Sequence, residues 1–295
     1  MIDPPLDHVY VAARRVLLDA LVALDAHSRA VIVVGAQAIY LRTADEQFAS
    51  VAPFTTDSDL TLDPGKLTDL PRLETAMREA NFELRQLDGG NVEPGTWVRA
   101  AEIGGRRYNV PVDLIVPAGA APRAGRRGAR LGGHGNQAAR KIAGLEAALV
   151  DFGPMEVTAL EPEDGRRIVA NVAGEAALLI AKLHKLQDRT TSGNGNRLHD
   201  KDAADVIRLM QATSPSDVGF TIARLSSGGV ASEVSKLAVG YLKDLFGGRN
   251  GAGVKMAAQA LRLGLPEGRI AALSIAYTRD LAEALATEAS RQVTP

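Results

Sequence analysis

The sequence predicts an α/β domain over residues 1–165 followed by an all-helical domain over residues 166–295. Three observations carry that division. Apolar runs of strand length, rich in valine and isoleucine, recur as far as residue 160. Amphipathic stretches at helical spacing fill the remainder. Between the two lies Glu161-Pro162-Glu163-Asp164-Gly165, a polar break containing both proline and glycine. At 295 residues the chain has room for two domains of ordinary size.

Residues 6–27 place Val9, Ala12, Ala13, Val16, Leu17, Ala20, Leu21 and Leu24 on one helical face. Val31-Ile32-Val33-Val34 is uniformly apolar, as a strand covered on both sides must be. Gly35 ends it and opens a short helix to about Arg42, and the polar residues 43–56 read as loop. Residues 58–62 form a strand stopped by Asp63-Pro64-Gly65. A helix is predicted over 67–80, strands near 82–87 and 97–103, then a Gly104-Gly105 hairpin turn into the strongest strand, 108–116. The spacing predicts a helix over 136–149 and a last strand over 155–160. Six helices are expected beyond the break, at 173–189, 199–212, 216–226, 231–246, 253–263 and 267–291.

Composition narrows the function. Apolar residues make up 46% and charged residues 23%, the balance of a globular protein, and the 4% of aromatics means aliphatic cores. A net charge of −1 excludes a globally basic nucleic-acid binder but leaves room for a local basic surface. With no cysteine there is no disulfide, no thiol nucleophile and no cysteine-ligated zinc. The N-terminus lacks the pattern of a signal peptide, and no stretch approaches the roughly 18 apolar residues of a membrane span. A cytoplasmic location without membrane contact is expected.

The chemistry-bearing residues are acids on strands. Asp57 and Asp59 alternate with Ser58 and so share a face. Asp113 sits inside Val110-Pro111-Val112-Asp113-Leu114-Ile115-Val116, where a desolvated carboxylate is costly unless it is paired or binds metal. Three converging carboxylates suit Mg²⁺ or Mn²⁺, and Mg²⁺ takes one or two protein carboxylates plus phosphate oxygens. Asp57, Asp59 and Asp113 are therefore the expected metal ligands. Gly35 offers its backbone N–H at a helix start, a place for phosphate; equally, a tight strand-to-helix turn requires glycine. In the second half, Lys182 and Lys185 share one helix face, as do Asp202 and Asp205. The bland reading is a solvated face with ion pairs. The chemical reading has Lys182 complement a triphosphate and Asp202 act as general base on an acceptor hydroxyl.

Residues 115–144 contain no acid but carry Arg123, Arg126, Arg127, Arg130, Arg140 and Lys141 among glycines. Arg123, Arg126, Arg127 and Arg130 are the expected contacts to an RNA backbone, against the alternative of a merely exposed basic loop. Gly133-His134-Gly135-Asn136-Gln137-Ala138 has the letters of a dinucleotide fingerprint, but no apolar strand leads into it. The five histidines lack zinc spacing.

Together, Val34-Gly35-Ala36, Asp57-Ser58-Asp59 and Val112-Asp113-Leu114 resemble the polymerase-beta-like nucleotidyltransferase superfamily. Lys182 and Lys201-Asp202-Ala203-Ala204-Asp205 resemble the lysine and Arg/Lys-Asp-x-x-Asp motifs of AbiE toxin-type nucleotidyltransferases, which include the mycobacterial MenT toxins. The resemblance implies a polymerase-beta-like nucleotidyltransferase core with a mixed sheet. It implies a catalytic set of Asp57, Asp59, Asp113, Lys182 and Asp202, with Gly35, Ala36, Ser58, Lys182 and Lys185 around the nucleotide. The implied reaction moves an NMP from an NTP to an acceptor, the tRNA 3′ end, in a toxin that has a cognate antitoxin protein. Ala36 stands where the family usually has a hydroxyl or glycine. The alternatives are a small-molecule, antibiotic-type nucleotidyltransferase or a catalytically silent member that binds nucleotide or a partner.

Overall fold

The computed structural model describes residues 6–43, 55–122, 127–191 and 200–293. It is a mixed α/β structure with one mixed sheet and a helical C-terminal region. Helix α1 (Leu6–Ala23) is followed by a single 3₁₀ turn at Asp25–His27, where the sequence predicts continuous helix to residue 27. Strand β1 (Val31–Val34) runs straight into α2 (Gly35–Arg42), and β2 (Ser58–Leu62) returns antiparallel to β1. Helix α3 (Leu73–Glu79) is shorter than expected, and strands β3 (Glu83–Gln86), β4 (Val92–Ile103) and β5 (Arg106–Pro117) complete a meander.

Two expectations fail in the next stretch. Instead of a helix over 136–149 there is a short strand β6 (Arg140–Ile142) and a 3₁₀ turn at Glu146–Leu149. Sheet pairing decides this: β6 runs parallel to β5 at Ile115–Pro117, past the point where β4 stops covering that edge. After β7 (Phe152–Thr158), the sequence starts the helical half at residue 166, yet Arg167–Ala173 forms β8. This strand pairs antiparallel with β7 and parallel with β1. The polar Glu161–Gly165 stretch is thus the connection within a strand pair, and the sheet extends to residue 173.

The strand order is β3-β4-β5-β2-β1-β8-β7, with β6 added on β5. The interior strand β1 is buried at all four positions, as its unbroken valine–isoleucine run requires. Helix α1 covers one face through Ala13, Val16, Leu17 and Ala20, and the fully buried Trp97 donates its indole N–H to the Ala138 carbonyl at 2.9 Å.

Helices α4 (Glu175–Thr191), α5 (Asp200–Ala212), α6 (Pro215–Ser226), α7 (Ser232–Phe246), α8 (Ala252–Ala260) and α9 (Glu267–Val293) follow, close to their expected bounds. Ser214 caps α6 by accepting from the Asp217 N–H at 3.3 Å, with Pro215 in the first turn. Helices α4 and α5 both pack on α2, so the helical region rests against the sheet at the end where β1 meets α2. Among the described residues, no helix is long and apolar enough to cross a membrane.

Candidate active site

The site is built where β1 ends and β2 begins, beside Asp113 in the interior of β5. Gly35 has φ +69°, in the left-handed region, and a Cβ there would collide with the Asp59 carboxylate. Both facts require glycine. Gly35→Ala is expected to destabilise the fold by about 1–3 kcal/mol through backbone strain, and to displace Asp59. Thermal unfolding checks this; an unchanged melting temperature would contradict it.

Asp59 pairs in register with Asp113 across the parallel β2–β5 ladder. Neighbouring strands lie about 4.8 Å apart, so two carboxylates on one face at this register repel each other. Burial, then the charges of Asp57 and Asp113, push the Asp59 carboxyl up to about 7, against the pull of Lys185 and Lys182. Asp57 goes the other way. Burial would raise it, but Lys201, the Thr55 hydroxyl, Lys185 and Lys182 outweigh burial and hold it below the ordinary carboxylate value. The Thr55 hydroxyl donates to Asp57 Oδ1 at 2.5 Å, and Lys201 Nζ lies 3.7 Å from the same oxygen. Asp113 is raised by burial, although the Arg140 guanidinium and the Thr96 hydroxyl, which donates at 2.7 Å, both oppose the shift.

Across from the acids, α4 and α5 form an ionic cluster with a buried centre of Lys182, Asp202 and Asp205 and a more exposed rim of Lys185 and Arg189. Lys182 is 5% exposed and donates to Asp202 Oδ1 and Asp205 Oδ2, each at 2.6 Å. Lys185 lies 3.2 Å from Asp202 Oδ1, and Arg189 donates to Asp202 Oδ2. Burial would lower the Lys182 ammonium, but the two carboxylates more than reverse that and hold it well above the usual lysine range. Burial would likewise raise Asp202, yet Lys182, Lys185 and Arg189 hold it far below the carboxylate range. Since Lys182 and Lys185 also act on Asp57 and Asp59, sheet acids and helix cations face each other within electrostatic reach.

Compared with protein-family models, curated proteins and solved structures, the chain shows no match. Its site is therefore read from geometry.

The structure brings together Asp57, Asp59, Asp113, Lys182, Lys185 and Asp202, with Gly35 and Ala36 at the start of α2 beside them. Three roles change. Ser58 faces away from the acids: its buried hydroxyl donates to the Ala13 carbonyl of α1 at 3.2 Å, as strand alternation dictates. Asp202, expected as general base, has both oxygens on cations and a strongly depressed carboxyl, so it is a poor proton acceptor and holds Lys182 instead. Asp113 already carries Arg140 as counter-ion. Among the described residues no three His, Cys, Asp or Glu side chains stand together as a metal cage. The remaining pair, Asp57 and Asp59, still fits a Mg²⁺ ion that keeps its waters. Burial and the neighbouring acids raise Asp59, and a cation bound beside it would offset both.

Of the four predicted RNA-contacting arginines, Arg123 and Arg126 lie outside the described residues, while Arg127 and Arg130 are exposed. Sequence reasoning missed the Arg140–Asp113 ion pair, the Lys201–Asp57 approach and the Tyr40 contact to Asp205. Each joins residues far apart in the chain, and only the loaded cation stretch around Arg140 gave any signal.

Proposed function

We propose that this chain is a metal-dependent nucleotidyltransferase with a polymerase-beta-like core, moving an NMP from an NTP to the tRNA 3′ end as the toxin of a toxin–antitoxin pair. The observation that carries the reading is the electrostatic reach between Asp57 and Asp59, at the start of β2, and Lys182 and Lys185 on α4. Asp59, which has no ion pair among the described residues, beside Asp57 and within electrostatic reach of the two lysines, forms the electrostatic mould of a metal–triphosphate. Asp57 and Asp59 would hold Mg²⁺ or Mn²⁺. A bound ion there supplies charge neutralisation for the triphosphate and its leaving group.

The chain's own residues do the rest. Asp202 and Asp205 hold two of the three Lys182 N–H groups, which leaves one to donate to a phosphate oxygen. Gly35 lets the start of α2 approach closely, where backbone N–H groups favour phosphate. Arg140 neutralises Asp113, which leaves the Asp57–Asp59 pair as the primary cation site. The test is direct: incubate the protein with each labelled NTP, Mg²⁺ and total tRNA. Label in RNA is the expected result, and none with any NTP would sink the reading.

The basic stretch supplies the acceptor side. Phosphate contacts release counterions, so RNA binding should weaken with salt by a log–log slope of about −0.7 per contact for single strands. Replacing Arg123, Arg126, Arg127 and Arg130 with alanine is expected to flatten that slope and weaken RNA binding while NTP binding stays unchanged. Filter binding across a salt series measures it, and an identical slope would place the RNA elsewhere.

A further inference from the structure

Lys182 gives two of its three N–H groups to Asp202 and Asp205, so the third points wherever those carboxylates leave it. Asp202 is pinned on both oxygens by Lys185 and Arg189. Asp205 is pinned differently. Its second oxygen, Oδ1, takes the buried Tyr40 hydroxyl of α2 at 3.4 Å, its only further hydrogen-bond donor among the described residues. Tyr40 is itself fixed from two sides. The Tyr10 ring meets it edge-on with centroids 5.6 Å apart, and the Arg208 guanidinium carbon lies 5.2 Å from its centroid. Arg208, 4% exposed, donates through Nε to Thr43 Oγ1 at 2.6 Å and through its terminal nitrogen to the Thr43 carbonyl at 3.1 Å. The Thr43 hydroxyl donates to the Ile39 carbonyl at 2.7 Å, which leaves its oxygen as the acceptor Arg208 needs.

These contacts give α2 two working ends. Its first residue, Gly35, abuts Asp59, and its C-terminal end, through Tyr40 and the capping Thr43, holds Asp205 and Arg208 of α5. Eight helical residues span about 12 Å, so one rigid element fixes the distance between the acids and the lysine. Packing alone does not account for the pair. A phenylalanine would fill the Tyr40 site, and burying a hydroxyl and a guanidinium is costly unless they are used. We propose that Tyr40 and Arg208 are positioning residues for Lys182, acting through Asp205 and α2. The proposal rests on reading Lys182 as the cation that meets the NTP.

Two readouts keep the proposal and that reading separable. The first needs no activity: acetylation of individual lysines by acetic anhydride, followed by mass spectrometry. Lys182 should be protected in the wild type, with exposed Lys185 as internal reference. Tyr40→Phe should acetylate Lys182 about fivefold faster, the ratio expected for one net hydrogen bond. Arg208→Met should do the same or more, and Arg208→Lys should restore part of the protection. Tyr277→Phe, which removes a contact to Thr213 remote from Lys182, controls for general loosening and should leave it protected. The second readout is ATP and GTP affinity by calorimetry with Mg²⁺, expected to fall about fivefold in Tyr40→Phe while RNA affinity holds. Faster Lys182 acetylation in a protein that binds no nucleotide would overturn the NTP reading and leave the positioning intact. Unchanged Lys182 protection in both Tyr40→Phe and Arg208→Met, or equal loss in Tyr277→Phe, would overturn the positioning itself.

Discussion

The double variant Asp57→Ala, Asp59→Ala is expected to lose transfer of labelled nucleotide to RNA by about a thousandfold or more while keeping its fold. Charge stabilisation by a bound ion contributes several kcal/mol to such a reaction, and each 1.36 kcal/mol is tenfold in rate. The fold should survive because Asp59 opposes it, while Asp57 gives up only a partly exposed ion pair with Lys201. The folded Asp59 carboxyl is pushed up to about 7 by burial and by Asp57 and Asp113, from an ordinary 3.8. Between those two values the folded state holds a proton that the unfolded state has released. Stability of the metal-free protein therefore falls as pH rises through that window, and the deficit is complete above it. Asp59→Asn removes the titration, so its melting temperature should overtake that of the wild type as pH climbs from 5 to 8. Mg²⁺ should narrow the gap by stabilising only the wild type. A variant that stays active, or that melts below wild type by the same margin at every pH, would remove Asp59 from the centre of the site.

The parts of this arrangement that could be read from the sequence are the local ones. Val31–Val34 followed by Gly35 announces a buried strand and a turn that needs glycine, and both are present. Strand alternation places Asp57 and Asp59 together, and helical spacing puts Lys182 with Lys185 and Asp202 with Asp205. The failures are failures of pairing. Arg140–Ile142 has no strand signal of its own and becomes β6 because β5 offers an uncovered edge there. Arg167–Ala173 reads as the start of a helical half because its alternation is weak, yet β1 and β7 both need a neighbour at that position. The same holds in the site. The sequence shows that Asp113 needs a partner, but only the fold can say that Arg140 supplies it. Assigning Asp202 as a base rested on its residue type; three surrounding cations, all of them on α4, decide against that.

Lys182→Met should be the most damaging single change in the molecule, for stability as well as activity. The ammonium is buried between two carboxylates, and removing one partner of such a cluster typically costs about 3–5 kcal/mol, because a buried charge is left uncompensated. The lower end of that range is expected. Asp202 keeps Lys185 and Arg189, so the loss falls on Asp205, which keeps the Tyr40 hydrogen bond and the nearby charge of Arg208. That asymmetry makes the two roles of Lys182 separable. Adding Asp205→Asn to Lys182→Met removes the stranded charge and should return most of the lost stability, measured as the urea midpoint. It cannot return the cation that faces Asp57 and Asp59, so nucleotide transfer should stay absent. A double variant that recovers both would show that Lys182 serves the fold alone. One that recovers neither would mean that Asp202, not Asp205, carries the uncompensated charge, against the pairing seen in the cluster.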